Sequence, residues 1–215
     1  MNIFDANSIV ANLGLLGVLA MIFAETGLLV GLVLPGGDTL LFLAGLAASS
    51  AGVAILGSAQ LSAPLLFLLA PVMAIIGGEV GYWSGHKYGA KFFNRPEGRV
   101  FNKANVAATE KWLRRYGPGK ALILGRFVPL VRTLINPTCG IIGLSRRQFS
   151  FWNAVSGVIW TQSLMGVGFL LGDALQLSAK KYLLPLVVLI VGMSLIPVAI
   201  EILKERNSKN RREPT

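Results

Sequence analysis

Two stretches of this chain are apolar enough to lie in lipid and yet carry full charges near their centres, a conflict that restricts what the chain can fold into. The first runs from Phe23 to Asp38 and holds Glu25 and Asp38; the second runs from Gly125 to Pro137 and holds Arg126 and Arg132. An ionised side chain at the middle of a spanning helix costs about 2.5–3.5 kcal/mol on insertion scales, so four of them call for one explanation. Two carboxylates and two guanidiniums neutralise one another if the stretches meet in the membrane interior and form the working site of a transporter. The plainer alternative is that the charges only clamp two segments together, as polar groups between membrane helices often do.

Composition supports lipid as the solvent. Of 215 residues, 53% are hydrophobic and 14% charged, where a soluble domain carries about 25% charged residues. Met1 to Asn12 contain no Lys or Arg, so the positive segment of a cleaved signal peptide is missing and the amino terminus is read as part of the mature chain. The net charge of +10 gathers between Lys87 and Lys120, at Arg146-Arg147 and in the tail from Lys204 to Arg212. Basic clusters flanking spans read as cytoplasmic markers and as contacts for anionic membrane lipids, which places the carboxy terminus in the cytoplasm. No nucleic-acid motif accompanies the charge, so nucleic acid is not expected as a partner. The lone Cys139 cannot form an intrachain disulfide and reads as a small packing residue.

In order along the chain, residues 1–12 form an interfacial lead-in, and Leu13 to Leu34 make an apolar segment long enough to span. Pro35-Gly36-Gly37-Asp38 breaks it, and Asp38-Thr39 is expected to cap a new helix over residues 40–56. A break at membrane depth is tolerated only inside protein or beside a water-filled cavity, so this segment reads as re-entrant. A span from Pro64 to about Trp83 follows, with Gly77, Gly81, Gly85 and Gly89 at four-residue spacing. That spacing gives one smooth face where a neighbouring backbone comes close. Glu79 lies in the same segment and joins the candidates for the polar interior, while Tyr82, Trp83 and Tyr88 suit the lipid boundary.

Residues 86–120 are a basic connector in which Phe101, Ala108, Trp112 and Tyr116 recur at helical spacing. It is expected to lie in the interface, aromatic side down, either as a solvated linker or as a lipid-recognising helix, and Gly117-Pro118-Gly119 ends it. The second charged hairpin occupies residues 121–144, with Pro129, Asn136, Pro137 and Gly140 as hinge or polar positions. Pro129 is expected to kink it so that Arg126 and Arg132 face one cavity. Spans at residues 149–171 and 183–203 complete the membrane domain of residues 13–203, with Asp173 in the turn between them. Asn153 is expected to hydrogen-bond to a neighbouring helix, and residues 204–215 form the tail. The fold class is an all-α polytopic membrane protein: two broken re-entrant hairpins packed with about four spanning helices, in a pseudo-repeat of pattern.

An enzyme is not expected. Ser84-Gly85-His86 resembles a fragment of the membrane phosphatases that use a nucleophilic histidine, but His86 is the only histidine, and those enzymes need a second one for acid–base work. A histidine-rich metal site fails for the same reason, and no cofactor is implied.

The charged stretches and their neighbours resemble the DedA family, whose shared region is also called the SNARE-associated or VTT domain. The resemblance rests on Glu25-Thr-Gly-Leu-Leu, Leu34-Pro-Gly-Gly-Asp38-Thr-Leu-Leu, Gly81-Tyr-Trp-Ser-Gly, Gly125-Arg-Phe-Val-Pro-Leu-Val-Arg132-Thr, and Phe151-Trp-Asn153 with Gly157 and Trp160. It covers roughly residues 13 to 172 and implies a bacterial cytoplasmic-membrane protein with two facing re-entrant hairpins. It also implies movement of lipids, notably the carrier undecaprenyl phosphate or phospholipids, linked to the proton gradient. The family's acidic pair falls on Glu25 and Asp38 and its arginine pair on Arg126 and Arg132. The chain departs from the family's commoner Pro-Gly-Asp or Pro-Gly-Glu by the extra glycine of Pro35-Gly36-Gly37-Asp38.

These expectations combine into a mechanism. Arginine suits a lipid phosphate because its planar fork gives bidentate, charge-assisted hydrogen bonds. The carboxylates would pair with the arginines in the empty site and exchange protons as the phosphate arrives. A phospholipid flippase, a passive scramblase of lipids such as phosphatidylethanolamine, and a proton-coupled small-ion transporter share the same site chemistry and stay open. So does a homo-oligomeric state.

Overall fold

The computed structural model describes residues 6–27, 37–50, 52, 61–93 and 103–178, and the regular structure in them is helical. The helices are α1 Ala6–Gly27, α2 Gly37–Ala48, α3 Ala63–Phe93, α4 Lys103–Gly125, α5 Pro129–Ile141 and α6 Arg146–Ser178. Among the described residues, two stretches, Ala63–Gly89 and Arg146–Ala174, are long and apolar enough to cross a membrane.

The two long helices are apolar outside and polar or small inside. On α3, Leu65, Leu68, Val72 and Ile76 are exposed at three- and four-residue steps, whereas Leu66, Ala70 and Ala74 are fully buried. On α6, Phe151, Val158, Val167 and Leu170 face outward while Asn153, Ser156 and Thr161 are buried. A water-soluble protein orders its faces the other way; lipid as the solvent selects this one.

Small residues set how closely the helices approach. The glycine stripe of α3 behaves as its spacing predicts. A Cβ at Gly85 would run into the Pro137 carbonyl oxygen, and one at Gly81 would stand 3.1 Å from the Asn136 Cβ. The same device joins α2 to α6, where Gly45 lies against the Met165 backbone and Gly168 against Phe42. Accordingly α2 on α6 and α5 on α3 are the most extensive helix contacts, with α1 also on α3 and α4 on α6.

The prolines and glycines within the helices act in different ways. Pro71 sits inside α3 without ending it. A proline cannot donate to the carbonyl four residues back, and here that oxygen, on Phe67, accepts a hydrogen bond from Gln162 Nε2 at 2.7 Å. Gly117, with φ 71° and ψ 160°, ends the first helical stretch of α4 as its Gly-Pro-Gly setting predicts, and Pro118 at once starts the second. Pro129 does not kink a helix between the arginines. Val128 is extended, as a residue before proline prefers, and Pro129 opens α5. Helix α5 then continues through Pro137.

Other boundaries shift as well. The span expected to finish near Trp83 continues as α3 to Phe93. Trp112 and Tyr116 turn towards Phe149, Leu122 and Ile135 rather than towards lipid, because α4 packs on α5 and α6. Asp173 lies within α6, not in a turn, and accepts a hydrogen bond from the Ser50 amide at 2.9 Å just beyond α2. The expectations for Pro35, Gly36, Phe101, residues 1–5, the segment 183–203 and the tail lie outside the described residues.

Two apolar clusters leave a polar layer between them. One joins α1, α2, α3 and α6 through residues such as Ile22, Leu41, Leu66 and Met165. The other joins α3 to α6 through Tyr82, Leu122, Ile135 and Phe149, and holds the free, fully buried Cys139. Along α6 the chain passes from Phe149 in the second cluster, through Asn153 and Ser156, to Trp160 and Met165 in the first.

Candidate functional site

Arg132, on the first turns of α5, reaches across to two other helices. Its Nη2 donates to Glu25 Oε1 at 2.7 Å, and its Nη1 donates to Asp38 Oδ1. Glu25 is near the end of α1 and Asp38 in the first turn of α2, so one guanidinium holds the two sides of the broken first segment. The Glu25 and Arg132 side chains are 5% and 10% exposed, while that of Asp38 is 45% exposed. The cluster is therefore sealed on the Glu25 side and open on the Asp38 side.

Asp38 does not serve mainly as a helix cap. Its Oδ1 also accepts a hydrogen bond from Trp160 Nε1 at 2.9 Å. The extra glycine has a steric role: a Cβ at Gly37 would overlap the Glu25 carboxylate, so only glycine lets the start of α2 approach so closely.

Arg126 is placed differently. It occupies the turn between α4 and α5, and only 3% of it is exposed. No carboxylate pairs with it among the described residues. Its Nε donates to Ser156 Oγ at 2.9 Å and its Nη2 to Asn153 Oδ1 at 2.8 Å, while Nη1 finds no hydrogen-bond partner among the described residues. The Asn153 amide in turn donates to the Ile75 carbonyl at 2.9 Å and to Glu79 Oε1 at 3.3 Å. Asn153 thus makes the interhelical bonds expected of it, and Glu79 joins the Arg126 side rather than the Arg132 cluster.

Trp160 stands between the two arginines, with its ring 5.6 Å from the Arg126 guanidinium carbon and 5.5 Å from that of Arg132. Contacts of this kind attract a cation electrostatically, more strongly where water is excluded. Asn136 on α5 faces the end of α1, its Nδ2 3.5 Å from the Thr26 carbonyl. Pro129 and Pro137 set the start and course of α5.

The sequence reading missed Ser156 as a ligand of Arg126 and Trp160 as the bridge between the halves. Asn153, Ser156 and Trp160 are three and four residues apart, which puts them on one helix face. That spacing, with a serine and a tryptophan beside an asparagine in an apolar run, was a usable signal.

The arrangement can do two things chemically. The Glu25–Arg132–Asp38 cluster carries one more carboxylate than guanidinium. Arg126 carries a buried positive charge with one nitrogen open, held by neutral groups. Such a nitrogen is an unmet donor, and an unpaired buried donor costs about 1–3 kcal/mol and more when charged, a cost that an acceptor beside it would remove.

Comparison with known proteins agrees on the kind of protein this is. The family model described as the VTT domain matches residues 34–170. The chain is 32% identical over 191 residues to the protein DedA of Escherichia coli K12, covering 89% of this chain and 83% of that protein. It is 29% identical to the inner membrane protein YqjA of E. coli K12, covering 86% and 84%. It is also 30% identical to an uncharacterised membrane protein of Mycobacterium tuberculosis H37Rv, covering 91% and 81%. No solved structure matches the chain. The chain belongs to the DedA family of VTT-domain proteins and is a helical bacterial membrane protein.

Proposed function

We propose that the protein carries an anionic lipid phosphate across the cytoplasmic membrane, coupled to proton movement, undecaprenyl phosphate being the substrate that best fits the family. The observation that carries this reading is the unequal pairing of the arginines. Arg132 is paired with both Glu25 and Asp38, while Arg126 is buried with no carboxylate and no partner for Nη1 among the described residues. A structural clamp needs both guanidiniums paired; an anion carrier needs one of them available.

In this mechanism the phosphate first meets Arg126. Protonation of Glu25 or Asp38 then frees Arg132 to share the phosphate, and both guanidiniums hold it bidentately. Loss of the proton on the far side restores the Arg132 cluster and releases the lipid. One proton moves for each negative charge neutralised, and no covalent bond forms or breaks. We therefore assign no catalytic role.

The same proposal includes re-entrant hairpins. Helices α2 and α5 have 12 and 13 residues, short of the about 20 needed to span a bilayer. Each lies along the long helix of the other half, α2 on α6 and α5 on α3, and α1 on α3 matches α4 on α6. That exchange of equivalent contacts supports an internal repeat with the site between its halves.

The test of coupling uses protein-containing liposomes under an imposed pH gradient, with wild type beside Glu25→Gln and Asp38→Asn. Gradient-driven lipid movement that both substitutions abolish supports the coupling. Equilibration of many lipids without a gradient would make the protein a scramblase, and flux of small ions alone an ion transporter.

A further inference from the structure

A cavity of about 350 Å³ lies beside the site, lined by Glu79, Tyr82, Trp83, His86 and Arg146. That volume falls in the range of about 300–1,000 Å³ used by small-molecule sites. Its walls descend in step: His86 to Glu79 on α3 and Arg146 to Asn153 on α6 are each seven residues, about 10 Å of helix. The walls meet where Asn153 Nδ2 donates to Glu79 Oε1 at 3.3 Å, and on the far side of Asn153 its Oδ1 holds Arg126 at 2.8 Å.

The mouth is basic and aromatic. His86 and Arg146 are exposed, and Lys87 Nζ stands 4.8 Å over the Trp83 ring beside them. The floor carries the one acidic side chain of the lining, half-buried Glu79. Positive charge at a mouth raises the local concentration of anions, and negative charge at a floor opposes their passage.

We infer that this cavity is the lateral approach by which a phosphate-bearing headgroup reaches Arg126, and that Glu79 with Asn153 is its inner gate. The inference rests on Arg126 being the anion receptor. Arg146 collects the headgroup at the interface, the Tyr82 and Trp83 rings accommodate its glycerol or prenyl stem, and displacement of the Asn153–Glu79 hydrogen bond opens the way to the free guanidinium nitrogen.

The test uses full-length protein in phosphatidylcholine vesicles with Cys139→Ala as background. Ser156→Cys then places a reporter thiol next to Arg126, and the probes are an anionic and a cationic methanethiosulfonate of similar size. Glu79→Gln should speed the anionic reagent roughly tenfold while leaving the cationic one unaccelerated, and His86→Trp, which fills the mouth, should slow both. Indifference of the rate to either change overturns the inference, as does a thiol that reacts only after denaturation. Neither result depends on which lipid is carried: if Arg126 is not the receptor, transport survives Arg126→Met, whereas a misplaced approach route leaves that dependence intact.

Discussion

Arg132 and Glu25 stand 107 positions apart in the chain and hold each other at 2.7 Å in the buried layer between two apolar clusters. The same guanidinium reaches Asp38, so three helices converge on one side chain. Removing it leaves two carboxylates facing each other without a cation. Breaking a buried pair from one side costs about 3–5 kcal/mol, and the openness of Asp38 puts this case at the low end. Arg132→Ala is expected to lower stability by about 3 kcal/mol, read as a fall in Tm in detergent. Arg132→Lys should recover only part, because a point charge cannot hold two carboxylates as a fork does.

Arg126→Met is expected to do the opposite to stability. The substitution removes a desolvated charge whose Nη1 has no partner among the described residues and keeps an apolar stem, which offsets the hydrogen bonds lost from Ser156 and Asn153. Tm should hold or rise while lipid movement falls at least tenfold. A parallel loss of both would point to a structural clamp.

Trp160→Phe keeps a ring near the arginines but deletes the 2.9 Å hydrogen bond to Asp38. With Asp38 half exposed, the expected loss of stability is about 1 kcal/mol. The more sensitive readout is the gradient dependence of transport, which should weaken because Asp38 loses the contact that ties it to the Arg126 side.

Gly85→Ala should destabilise by about 2 kcal/mol, the usual range for overpacking, since the new methyl would strike the Pro137 backbone at the α3–α5 crossing. Gly17→Ala is the control. Among the described residues no atom lies within 4 Å of a Cβ there, and its Tm should not fall.

The charged residues were legible in the sequence because a full charge in an apolar run is conspicuous at any position. Their division of labour was not. Whether Arg126 meets a carboxylate or Asn153 and Ser156, 27 and 30 positions away, depends on how α6 crosses α4 and α5, and no local pattern encodes that. The glycine stripe was readable because its four-residue step has one steric meaning on a helix, and the structure bears it out at Gly81 and Gly85. Pro129 and Pro137 were harder to read than a proline's reputation suggests: Pro129 opens α5 and Pro137 lies inside it. A proline's effect depends on what satisfies the carbonyl it frees, and for Pro71 that partner, Gln162, lies on another helix.

The most direct measurement is translocation of headgroup-labelled polyprenyl phosphate in liposomes holding purified protein, with an imposed pH gradient, comparing wild type with an equally folded Arg126→Met variant. The account predicts gradient-driven movement in the wild type and at least a tenfold loss in the variant. Movement at the wild-type rate in Arg126→Met, or none in either protein, would contradict it.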